Sequence, residues 1–244
     1  MLIRRLIQTS APSVIFSIGL LFFSAFTAAA LGNKYSFDSE EDYLAPALSL
    51  SSWSAVLVRH EQQRPALLQC DGSKSGCRGR LRSFRKMLTK SAGLSSVEQI
   101  SLVNLYINRS HYDEDRVKRI FDHQGNKIGI QRSSWSTLYD FLTSGGDCED
   151  FATSKYFMLR ELGFAAQDLR VVVTYERRLH GYHAVLAVQR PNGEVWLLDT
   201  DNRIKKKSHR GYRYVYAMNE RSVWDHRKDF EGIAPLWPSK QKAE

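Results

Sequence analysis

The sequence predicts an α+β fold, with helices in its first half and an antiparallel sheet in its second. Three observations predict it. Apolar residues recur at helical spacing in several segments up to residue 162. From residue 169 onward they gather instead in short β-branched or alternating runs separated by turn residues. No internal repeat is visible, so helices followed by strands read as one α+β layout. The chain has 244 residues, 43% hydrophobic and 11% aromatic, enough for one well-cored domain and unlike a disordered chain. The net charge of +9 suits acidic partners or an anionic membrane surface and carries no information about the fold.

Residues 1–30 read as an export signal: basic MLIRR, then apolar SVIFSIGLLFFSAF, then small residues in TAAALG suited to cleavage near Ala29 or Ala30. The apolar run from Ala11 to Leu31 is almost long enough to span a bilayer, so a retained anchor is the alternative. Both place the rest of the chain outside the cytoplasm, with the anchor adding membrane proximity. Residues 31–48 read as a polar linker, and residues 49–244 as a single domain.

Within that domain, SLSSWSAVLVRHEQQ (49–63) carries Trp53, Val56 and Leu57 at helical spacing. Cys70 and Cys77 flank a Gly/Ser-containing loop, where an oxidising compartment favours a disulfide over two free thiols. No nearby His or Cys pair supports zinc. A short helix is expected around LRSFRKMLTK. A clearer one spans 95–109, with Ser95 and Glu98 as a capping box and Ile100, Val103 and Ile107 as its stripe. Asn104 and Asn108 stand one turn apart on it, either reaching a polar site or simply exposed. Residues 109–133 read as irregular. WSTLYDFLTSGG (135–146) is a short helix ending in two glycines. Asp147 then caps a new helix, with Cys148 at its first position, Asp150 at its third and Gly163 as its stop. LRVVVTY (169–175), HAVLAVQ (183–189), EVWLLD (194–199) and GYRYVYAMN (211–219) are strands, with RPNG as a hairpin turn. RIKKKSHR (203–210) is a basic run of the kind that is usually a solvated face. Nucleic-acid binding through this run is a rival reading, and export argues against it.

Cys148 is the odd thiol. At the first turn of a helix it gains from the positive end of the dipole, which favours the reactive thiolate. His183 opens a strand and is the candidate base, with His180 its nearest competitor in sequence. Asp199 closes the partner strand of the same hairpin. If Gln189 pairs with Glu194, His183 falls opposite Thr200, one step from Asp199. The aspartate would then orient the imidazole. Each residue also has a plainer reading: a buried small residue, a strand-edge histidine, and a turn aspartate with Asp201 doing similar work. Asp147, Glu149 and Asp150 fit helix capping, yet three carboxylates beside a thiol oppose its ionisation. Bound Ca²⁺ would remove that conflict and pin the helix start, with loop carbonyls or waters completing its shell.

Three segments together, W-S-T-x-x-x-F-L, GGDCEDFATSKYFMLRELGF and HAVLAVQRPNGEVWLLD, resemble the bacterial transglutaminase-like cysteine peptidases, in particular the LapG-type periplasmic proteases. The resemblance is strongest from Val97 to Asp201. It implies a papain/transglutaminase-like fold with N-terminal helices on an antiparallel sheet. It also implies Cys148 as nucleophile, His183 as base, Asp199 as orienting carboxylate, and calcium at Asp147 and Glu149 with Asp150 close by. The implied substrate is a large repeat-rich surface adhesin, clipped near its N-terminus at paired alanines to release biofilm cells. The implied partner is an inner-membrane cyclic di-GMP receptor that sequesters the protease. Leu138 stands where the family usually has proline. The cysteine loop at 70–77 and the basic tail after 203 look peculiar to this chain. Rival readings are acyl transfer to an amine on the same fold, and a binding module without turnover.

Overall fold

The computed structural model describes residues 35–37, 43–70, 77, 79–114, 118–121, 124, 127–131, 135–178, 180–206 and 211–227. The expected export segment and positions 207–210 of the basic run lie outside them. Among the described residues no helix is long and apolar enough to cross a membrane.

Strand β1 is Tyr43–Pro46. Helix α1, Ser51–Gln69, buries Trp53, Val56, His60 and Leu67 and continues past its expected end through Pro65. Helix α2, Leu81–Ala92, buries Leu81, Phe84 and Met87 while Arg82, Arg85, Lys86 and Lys90 stay exposed. Helix α3, Ser96–Ile107, starts at the expected capping box: Glu98 Oε2 accepts from the Ser95 N–H at 2.9 Å, and Ser95 Oγ accepts from the Glu98 N–H at 3.4 Å. Helix α4, Leu138–Ser144, is capped by Thr137, whose Oγ1 accepts from the Asp140 N–H at 3.1 Å. Leu138, in the family's proline position, is the first residue of α4 and is buried. Proline is favoured there because that N–H has no intrahelical partner, so leucine loses little. Helix α5, Cys148–Glu161, buries most of its length. It ends at Leu162, followed by Gly163 at φ +91°.

The remaining strands are β2 Lys118–Phe121, β3 Lys127–Gln131, β4 Leu169–Glu176, β5 Gly181–Gln189, β6 Val195–Leu198, β7 Ile204–Lys205, β8 Tyr212–Met218 and β9 Ser222–Asp225. Six of them join β1 in a seven-stranded antiparallel sheet in the order β1-β9-β8-β4-β5-β6-β7, and β2 and β3 form a separate two-stranded sheet. The helices pack on one face through a core that includes Trp53, Phe84, Phe141, Tyr156, Leu186 and Val215. Each such side chain contributes about 1.5–3 kcal/mol by leaving water.

Two stretches depart from expectation. Inside the segment expected to be irregular, Lys118–Phe121 and Lys127–Gln131 pair as antiparallel strands β2 and β3. In the expected linker, Tyr43–Pro46 joins the sheet through β9, and Tyr35 and Phe37 are buried. The reason lies on the sheet's other face, where Val172, Val185, Leu197 and Tyr214 need cover. Tyr35 meets Tyr214 edge-on at 5.0 Å, and the Arg170 guanidinium lies over the Phe37 and Trp224 rings at 4.4 and 3.8 Å.

Candidate active site

The turn before α5 is shaped by two glycines. Gly145 has φ +83°, and a side chain there would meet the His111 carbonyl at 2.4 Å. At Gly146 a side chain would strike the Asp150 carboxylate at 2.1 Å. This close approach lets the Asp113 N–H donate to the Gly146 carbonyl at 3.0 Å and ties the turn to the loop at 111–113. Asp150 is buried beneath it. Its Oδ1 accepts from the Ser136 N–H at 2.6 Å and its Oδ2 from the Asp147 N–H at 3.3 Å. Asp150 therefore braces the entry to the helix from below.

Asp147, Cys148 and Glu149 each present a ligating atom, and these atoms lie within 4.8 Å of one another. The Cys148 thiol donates to Glu149 Oε2 at 3.3 Å. Burial first, then the Glu149 charge and that hydrogen bond, push the thiol well above its ordinary range, and Asp147 adds to the push. The backbone of Ala184, next to His183 on β5, hydrogen-bonds the sulfur and opposes them. Tyr112 stands over the turn with its ring 5.8 Å from Phe151. Burial, then the charges of Cys148, Asp147, Glu114 and Glu149, push its phenol up to about 12. Two carboxylates are the hard oxygen donors that Ca²⁺ takes, and their negative charge beside the thiol is what a cation would offset. Sulfur is too soft to serve beside them. This donor set fits Ca²⁺, with carbonyls or water needed to complete six to eight oxygens.

His183 and Asp199 meet through a register different from the expected one. The Arg190 N–H donates to the Glu194 carbonyl at 2.9 Å and Gly193 sits at φ +77°, so Pro191, Asn192 and Gly193 form a three-residue loop. Gln189 consequently pairs with Val195, not with Glu194. The ladder ends at Leu186↔Leu198, and the chain turns as it leaves β6. There the Asp199 carboxylate meets the imidazole, with Nε2 to Oδ1 at 2.6 Å. Nε2 faces the aspartate, so Nδ1 is the nitrogen left for other work. Asp201 serves its own turn, accepting from the Arg203 N–H at 3.0 Å, and His180 occupies a turn at φ +51°.

Asp199 is over-supplied with donors. Its Oδ1 also accepts from the Thr200 N–H at 2.6 Å, and its Oδ2 accepts from Lys205 and Tyr212. Burial alone would raise its pKa. Hydrogen bonding and charge from His183, then hydrogen bonds from Lys205 and Tyr212, overrule burial and hold the carboxyl far below the usual carboxylate range. Lys205 comes from the basic run, so the solvated-face reading fails at that position: its side chain is 17% exposed. The run turns back as β7 alongside β6, which aims Lys205 at Asp199. The asparagines of α3 are not idle either. Asn104 is buried, and Asn108 Nδ2 donates to the Asp199 carbonyl at 3.0 Å and the Asp201 carbonyl at 2.5 Å. Their one-turn spacing was the available sequence signal. For Lys205 and Tyr212 no local signal separated them from ordinary run and strand residues.

Cys148, Glu149, His183 and Ala184 line one cavity of about 390 Å³, whose walls are mainly apolar, including Trp53, Trp135 and Tyr182. A thiol at a helix start, a carboxylate-oriented imidazole and an apolar cleft can together support acyl chemistry at sulfur.

A family model described as bacterial transglutaminase-like cysteine proteinase, BTLCP, matches residues 66–229. Among curated proteins, none matches. Among solved structures, calcium-bound LapG of Legionella pneumophila is similar at 24% identity and TM-score 0.54, over 72% of this chain and 91% of that one. LapG of the same organism also matches at 26% identity and TM-score 0.54, over 67% and 87% of the two chains. Its EGTA-treated form matches at 26% identity and TM-score 0.55, over 68% and 86%. With two thirds of its length under the family model, this chain belongs to the bacterial transglutaminase-like cysteine proteinases.

Proposed function

We propose that this protein is a calcium-dependent cysteine endopeptidase of the periplasm, with Cys148 as nucleophile, His183 as base and Asp199 as orienting carboxylate. The observation that carries the reading is the His183–Asp199 pair at 2.6 Å beside the cavity that Cys148 also lines. His183 Nδ1 takes the thiol proton, and Asp199 steadies the imidazolium through Nε2. The sulfur attacks a peptide carbonyl carbon to form an acyl-enzyme. The imidazolium returns its proton to the leaving amine, and water then hydrolyses the thioester. The Cys148 N–H, at the first position of α5, is placed to receive the oxyanion.

Asp147 and Glu149 hold the calcium ion in this reading, and the calcium-bound form of the similar LapG structure supports calcium as the ion. A cation held there would neutralise the two carboxylates that oppose thiolate formation, and would weaken Glu149 as the acceptor of the thiol's hydrogen bond. The disulfide joining Cys70 and Cys77 supports an exported location. The substrate we propose is a large repeat-rich adhesin cut near its N-terminus at paired alanines. The regulator we propose is an inner-membrane cyclic di-GMP receptor that sequesters the enzyme.

Cys148→Ala tests the assignment. It should abolish cleavage of a di-alanine adhesin fragment while circular dichroism and melting temperature stay near wild type, and full activity in that variant would refute it. Product mass separates hydrolysis from acyl transfer. Cys148 alkylation that stays slow in saturating calcium would favour a binding module.

A further inference from the structure

Lys155 is fully buried, two turns along α5 from Cys148. Its ammonium donates to the Asp199 backbone carbonyl at 2.5 Å, and Asn108 Nδ2 donates to the same oxygen at 3.0 Å. That carbonyl needs donors. The β5–β6 ladder has already ended at Leu198, so the sheet offers it none, and Asp199 is buried. A neutral side chain would satisfy a carbonyl. An ammonium there is costly: burial, partly offset by Asp199 and Asp201, pushes the Lys155 pKa down to about 7. Buried ionic groups are retained in some proteins because they fix one geometry over others. Here the geometry at stake is that of a segment outside the sheet whose side chain must meet His183.

We propose that Lys155 is a positioning residue: with Asn108 it clamps the Asp199 carbonyl, so that the Asp199 carboxylate stays on His183 Nε2. The clamp runs from α5, which carries Cys148, and from α3 to the turn that carries Asp199. It thus ties the nucleophile's helix to the base's partner. Its catalytic consequence rests on the peptidase reading, but the clamp itself does not.

The test is the downfield proton resonance of the His183 Nε2–H hydrogen bond to Asp199, observed in the purified full chain and assigned by its loss in His183→Gln. Lys155→Met should lose that resonance or move it upfield while circular dichroism remains native. It should also lower kcat about a hundredfold at unchanged KM. An unchanged resonance in folded Lys155→Met would overturn the proposal and leave Lys155 as a core filler. If Lys155→Met does not fold, Asn108→Ala decides by the same signal: a shifted or lost resonance supports the clamp, and an unchanged one overturns it. Wild-type protein that shows the resonance but cleaves nothing would remove the peptidase reading and leave the clamp standing.

Discussion

Asp199 sits behind His183 and Glu149 beside Cys148, and the two carboxylates meet opposite surroundings. Asp199 is met by His183, Lys205, Tyr212 and Thr200, and stays ionised although buried. Glu149 and Asp147 flank a half-buried thiol, and together with burial they drive its ionisation out of the ordinary range. The first site is completed by the chain alone. The second gathers two carboxylates around a thiol whose ionisation they oppose. Under the proposed reading the contrast teaches where control can enter: the base would be preorganised, while the nucleophile would respond to whatever changes the charge around it.

The largest expected effect comes from damaging the preorganised side. Asp199→Asn should lower kcat by about 10³–10⁴-fold. It should also destabilise the fold by about 3 kcal/mol, because the Lys205 ammonium loses its anion. Steady-state kinetics and urea unfolding check this, and near-normal kcat would erase the distinction between the two sites. Next comes the acidic side. Calcium at a hundredfold excess over its Kd should raise the melting temperature by roughly 5–10 °C. Asp147→Asn with Glu149→Gln should lose that gain, while Asp199→Asn keeps it. A melt indifferent to calcium and chelator would return the acidic pair to helix capping. The smallest effect is a pH dependence. The Cys148 thiol is raised when folded, so above its ordinary value of about 9 the unfolded chain releases a proton that the folded chain keeps. Metal-free protein should therefore lose about 1.4 kcal/mol per pH unit above that point relative to Cys148→Ser. Asp199 has the opposite sign: its depressed carboxyl supports the fold above the unfolded value near 3.8 and fails only in stronger acid. Parallel stability curves for wild type and Cys148→Ser from pH 8 to 10 would count against the charge imbalance.

What was legible in the sequence follows from range. Capping is local, so Ser95 and Glu98 announce α3, and Asp147 announces α5. Strong β-branched runs announce β4, β5 and β6. The short strands β1 and β9 become strands only because the sheet offers them a partner. Tyr43–Pro46 ends in a proline tolerated at an edge, which reads locally as linker. At the site, hairpin logic brought Asp199 near His183, but it assumed a longer turn, and Gly193 in its left-handed conformation shortens the loop by one residue. The stripe Phe151, Ala152, Lys155, Leu159 and Leu162 puts Lys155 on the apolar face of α5, where its stem reads as cover for apolar surface, and Lys205 reads as part of a basic run. What the sequence could not supply in either case is the partner, because the carbonyl or carboxylate arrives from a distant segment that no window of neighbouring residues contains.

The loop Pro191–Gly193 also limits how this chain tolerates change in length. Deleting one of its residues would slide β6 against β5 and turn every side chain of β6 to the opposite face. Leu198 would leave the helix-side core, and the segment behind it would deliver its acid to the wrong place. Loops elsewhere on the surface can lengthen or shorten at little cost. This one behaves as a ruler for the hairpin, and insertions or deletions in it should be far less permissible than substitutions of Asn192.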